Sequence, residues 1–149
     1  VDQLGEAMHR SFNNSIIGRR NWNYLQSRYL THPTHRYLCL RITSHLSGLN
    51  QGVIVLKRHT DGTLEWTDLI APQQNIKNLI HAALRFAHRA KCSSLFVWVT
   101  ESHRKLFDAC SPTVNPLDII IPTYDSAQAP AIEDVSDRWF LMSGDSDFQ

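Results

Sequence analysis

The chain has 149 residues, 42 % of them apolar and 19 % charged, with a formal net charge of +1. That length builds one domain with a real core, and a charge so near neutral argues against a nucleic-acid surface. No apolar run approaches the roughly 18 residues of a membrane span, and no basic-then-apolar signal peptide opens the chain.

The cysteines Cys39, Cys92 and Cys110 are odd in number and outside any CxxC. They read as free thiols of a reducing cytoplasm. The first residue is Val1, not Met, as expected of a piece excised from a longer protein.

Two short helices come first. Leu4, Ala7, Met8 and Phe12 have helical spacing. After the loop "NNSIIGRR", Asn21 is placed to cap a second helix with Trp22, Leu25 and Tyr29 on one face. His32-Pro33 stops it, because a residue before proline avoids the α region.

Three strands follow. "RYLCLRI" alternates, with Leu38, Leu40 and Ile42 on one side and Tyr37, Cys39 and Arg41 on the other. Val53 to Lys57 is a β-branched apolar run, and Asp61-Gly62 signals a hairpin. "TLEWTDLI" is the third strand. A regular pleat sends Leu64, Trp66, Asp68 and Ile70 one way and Glu65, Thr67 and Leu69 the other. Short links make the three an antiparallel meander.

A long helix starts near Gln73. Ile76, Leu79, Ile80, Ala83, Leu84 and Ala87 form its apolar face, and Lys77, Asn78, His81, Arg85, His88 and Arg89 the opposite one. Leu95 to Val99 reads as a buried strand, parallel to the previous one through a right-handed crossover. "ESHRKLFDAC" is a short helix on Leu106, Phe107 and Cys110. Leu117–Ile121 and Arg138–Met142 read as two last strands around a polar connection, and "SGDSDFQ" as a loose polar tail. The pattern is α+β: a single mixed, mostly antiparallel sheet with helices on its faces. Residues 1–20 form a helix and loop, 21–142 the core and 143–149 the tail.

This order of elements resembles the GNAT superfamily of acyl-CoA N-acyltransferases from about Asn21 to Met142, without that family's usual first strand. "YLQSRYLTHPTHRYLCLRI" and "DRWFLMSGDSD" further resemble the second half of larger bacterial GNAT-like proteins of unassigned substrate. The resemblance implies acetyl-CoA or another acyl-CoA lying in the splay between "TLEWTDLI" and "SLFVWV", with a small-molecule amine as acceptor. Leu69 and Ile70 would face the pantetheine. Gln73, Gln74, Lys77 and Asn78 would face the pyrophosphate at the helix start, where the dipole favours anions.

Two departures stand out. The family fingerprint there is Gln or Arg, two residues, Gly, one residue, Gly or Ala. Gln73 matches its first position, but Ile76 and Asn78 stand at the two small ones. The tyrosine that would protonate the leaving thiolate is Phe107, which has no proton to give. "APQQNIKNL" is therefore expected to turn a corner without gripping a pyrophosphate. A non-catalytic GNAT-like module, packed beside an upstream GNAT-like domain or in a homodimer through Leu4–Phe12 or a sheet edge, is the alternative to an enzyme.

Among single residues, the resemblance offers Glu65 as general base, against a solvent-facing strand residue, and Tyr124 as replacement acid. Asp68 either points into a cleft or bonds a nearby loop or cap. Lys77, Arg85 and Arg89 either contact phosphates or form a solvated face. His32 and His35 lack a third ligand for a metal. "GDSD" stands too late in the chain for a Gly-Asp-Ser nucleophile. Trp22, Trp66, Trp98 and Trp139 read as core.

Overall fold

The computed structural model describes residues 1–118, 135 and 137–145. One four-stranded mixed sheet organises them, in the order β1 (Tyr37–Thr43), β2 (Asn50–Arg58), β3 (Leu64–Ile70), β4 (Leu95–Val97). The first three are antiparallel, and β4 runs parallel to β3 over Leu64–Trp66 only. The expected α+β architecture is present.

Helix α3 (Ile76–Arg89) crosses from β3 to β4. Ile76, Leu79, Ile80, Ala83 and Ala87 are buried on the sheet, while Leu84 is exposed despite its place on the apolar stripe. Burial of each large aliphatic side chain there contributes roughly 1.5–3 kcal/mol. Helix α1 (Asp2–Ser11) adds Met8 and Phe12 to the same core. Met8 and Phe12 are thus used inside the chain.

Helix α2 (Trp22–Leu25) begins where Asn21 Oδ1 accepts from Tyr24 N at 2.8 Å. It continues as a π-turn over Gln26–Leu30, closed by Thr31 N donating to Gln26 O. Leu25 and Tyr29 are buried, but Trp22 is exposed. Trp98 is exposed as well, so the core reading of the tryptophans holds fully for Trp66 alone.

The third strand does not have a regular pleat. Val55 pairs with Asp68 and Leu56 with Trp66, so Thr67 is the extra residue of a bulge. One added residue flips every side chain after it. Leu64, Trp66, Leu69 and Ala71 face the core under α3, while Ile70 joins Leu25, Tyr29, Val53 and Val55 in a second cluster across the sheet. Asp68 turns with Ile70, away from Trp66's side.

The end of the chain also departs from expectation. Glu101–Cys110 is a 3-10 helix with Phe107 buried and Cys110 exposed. Leu117 and Asp118 are exposed and outside any strand, and 119–121 lie outside the described residues. Arg138–Met142 makes two isolated bridges, Trp139 with Ile16 and Met142 with Val99, rather than a ladder. The supposed tail folds into a 3-10 turn at Ser143–Asp145, with Ser143 and Gly144 buried.

Candidate functional site

Past Trp66 the strands β3 and β4 part, and the opening is filled by the chain's own C-terminal turn. Ser143 Oγ donates to Thr67 O at 3.4 Å. Gly144 sits so close that a Cβ would come within 2.1 Å of Tyr29 Oη and 3.0 Å of Thr67 O. A larger residue there would displace the Tyr29 side chain and press on the β3 backbone. Thr67 Oγ1 is buried without a hydrogen-bond partner among the described residues.

Buried charge holds this turn in place. Asp68 is fully buried and accepts four hydrogen bonds. Arg20 Nε (2.9 Å) and Leu69 N (2.8 Å) reach Oδ1, and the hydroxyls of Tyr24 (2.6 Å) and Tyr29 (2.8 Å) reach Oδ2. Arg20 Nη2 continues to Asp145 Oδ2 at 2.6 Å, which also accepts from Met142 N at 2.9 Å. Arg28 Nε donates to Gly144 O at 2.5 Å. Phe140 and Tyr24 lie within 6 Å of the guanidinium.

The electrostatics follow from burial and pairing. Burial alone would lower the Arg20 pKa, but Asp68 and Asp145 outweigh it and hold the guanidinium charged, above its ordinary value. Burial, then the Asp68 carboxylate, pushes both tyrosine hydroxyls far up, so they remain donors. Burial also raises the Asp145 carboxyl, against the pull of Arg20.

The π-turn explains why two tyrosines meet one carboxylate. Residues five apart on an α-helix point ~140° from each other. An i→i+5 turn brings Tyr24 and Tyr29 to one side, their hydroxyls 3.3 Å apart.

The residues that the family resemblance would place on acyl-CoA are differently engaged. Leu69 and Ile70 are buried in the two apolar clusters. The polar edge beside them is in use: Asp68 O accepts from Trp66 Nε1 at 2.9 Å, and Leu69 N is held by the Asp68 carboxylate. Gln73 opens a 3-10 turn, Gln73–Asn75, that delays α3 to Ile76. Its N–H donates to Ser11 Oγ at 2.9 Å. Asn78 Nδ2 donates to Gln51 Oε1 at 2.6 Å. Gln74 and Lys77 are exposed, and Ile76 is a core residue. Phe107, at the general-acid position, packs edge-on against Trp66 with ring centroids 5.5 Å apart.

Glu65 is not solvent-facing. It is 6 % exposed, with Oε2 2.8 Å from Nε2 of the half-buried His59. Its register row runs Tyr37, Lys57, Glu65, Phe96 across all four strands. Tyr124 lies outside the described residues. Arg85 and Arg89 are exposed on α3. The rings of His32 and His35 lie tilted with centroids 5.0 Å apart, and among the described residues no three His, Cys, Asp or Glu side chains gather as a metal group. Among them too, no helix is long and apolar enough to cross a membrane.

The sequence reading singled out Asp68 but missed Arg20, Tyr24, Tyr29 and Asp145. The tyrosine pair in "NYLQSRYL" was a usable signal only if a π-turn had been foreseen. A comparison with protein-family models, curated proteins and solved structures finds no match for this chain.

Proposed function

We propose that this chain is a GNAT-like domain of an acyl-CoA-dependent N-acyltransferase, and that it stands beside the cofactor-holding domain without itself binding acyl-CoA. The order of two helices, a three-stranded meander, a long helix, a parallel strand and a further helix supports the fold half of the reading. One observation carries the other half. The splay where a pantetheine arm would lie is filled by Ser143–Asp145, anchored through Arg20 to Asp68. The helix start adds to it, since Gln73 N–H is taken by Ser11 and Ile76 is packed in the core. The partner would be an upstream GNAT-like domain, the acceptor a small-molecule amine. The three unpaired thiols fit a reducing cytoplasm.

A second reading, an acyltransferase active in its own right, has the Glu65–His59 pair in its favour. A buried carboxylate against a half-exposed imidazole is suited to taking a proton from an amine. Calorimetric titration with acetyl-CoA and longer acyl-CoAs separates the two. The module gives no binding heat at millimolar ligand. Micromolar binding overturns it in favour of the enzyme.

A further inference from the structure

Ser15 stands in the turn after α1, half-buried, with its Oγ 2.7 Å from His103 Nε2. His103 lies in the 3-10 helix Glu101–Cys110, its ring set between Phe12 at 6.0 Å and Phe140 at 5.3 Å. The other ring nitrogen, Nδ1, is 2.9 Å from Ser102 Oγ and 3.4 Å from Thr100 Oγ1.

The Thr100 partner favours one tautomer. Thr100 Oγ1 donates to Trp139 O at 2.5 Å, and Ser102 Oγ reaches the same carbonyl at 3.5 Å. A hydroxyl has one proton. With that proton directed to the carbonyl, Thr100 Oγ1 presents a lone pair to Nδ1. With the imidazole proton on Nδ1, bare Nε2 faces the Ser15 O–H. Burial lowers the His103 pKa and keeps the ring neutral near pH 7. A hydroxyl, a neutral base in hydrogen-bond reach and a group orienting that base make a nucleophile arrangement.

We propose that Ser15 is a nucleophile activated by His103, and that this turn cleaves carboxylic esters through an acyl-serine. The Ser15 proton passes to His103 Nε2 as the Oγ–C bond forms. The ester C–O bond breaks, and the departing alkoxide takes the proton from Nε2. Water then repeats the sequence, its proton going to Nε2 and on to Ser15 as the acyl group leaves as the acid. Nothing in this step uses acyl-CoA, so it stands apart from the function proposed above.

A fluorophosphonate probe on the full chain tests it. Ser15 Oγ bonds to phosphorus, and fluoride leaves. Peptide mass spectrometry is expected to place the adduct on Ser15, Ser15→Ala to abolish it, and His103→Gln to slow labelling roughly a hundredfold. If His103→Gln does not fold, the labelling rate of the parent is read against pH. It should rise as His103 loses its proton and level off at a lower pH than a free imidazole would. No adduct at Ser15, equal labelling of a folded His103→Gln, a rate indifferent to pH below about 6.5, or equal labelling of the heat-unfolded chain overturns the proposal.

Discussion

Asp68 has two oxygens and four donors, all within 2.9 Å, in a place that water does not reach. Removing one partner of a buried set leaves the others uncompensated. Asp68→Ala is therefore expected to lose about 3–5 kcal/mol in denaturant unfolding. Asp68→Asn, which keeps an acceptor oxygen but loses the charge opposite Arg20, should fall between that variant and the parent. Equal stability of Asp68→Ala and the parent would mean the network contributes nothing. His103 gives a pH prediction with a definite sign. Its folded pKa is lowered by burial, so below about 6.5 the unfolded chain binds the extra proton and stability falls with pH. Between pH 7 and pH 5 the parent should lose more in Tm than His103→Gln, which lacks the group. The opposite order would show that His103 is not held neutral. Of the Asp68 set only Asp68 itself was legible from sequence, as a residue that bonds a nearby segment. Arg20 and Asp145 stand 125 positions apart, and nothing local in "GRRNW" or "SGDSD" says that they meet.

At the scale of elements, periodicity succeeded where one element buries one face along its whole length. Helix α3 repeats apolar residues at helical spacing and packs them on the sheet, so its existence and orientation could be read directly. Ile80→Asp would bury a charge against the sheet and should cost several kcal/mol, read as a large drop in Tm. A melt within a degree or two of the parent would show that the helix does not pack this way. Periodicity failed on β3, because a bulge adds one residue without leaving a mark in the alternation "LEWTDLI". It failed on Arg138–Met142 for a different reason. That segment has strand-like composition, but its partners are the single residues Ile16 and Val99, in separate stretches outside the strands. The π-turn after α2 was likewise invisible to a search at a period of 3.6.

For the whole molecule, the question is what occupies the opening between two strands that begin parallel and then part. A sheet edge left bare exposes unsatisfied backbone groups. Here the chain returns from its far end to cover that edge with Ser143–Asp145, and the Arg20–Asp68–Asp145 set fastens it. Absent small residues at Ile76 and Asn78, together with Phe107, signalled from sequence that a cofactor site of the resembled kind was incomplete. They did not show that Ser143–Asp145 sits against β3 there. The most direct test is a crystal structure of the chain grown with millimolar acetyl-CoA. The account predicts Ser143–Asp145 still seated on Thr67 and Asp68, with no ligand between β3 and β4. A pyrophosphate bonded to the N–H groups of residues 74 to 79, with the pantetheine in the place of the C-terminal turn, would contradict it.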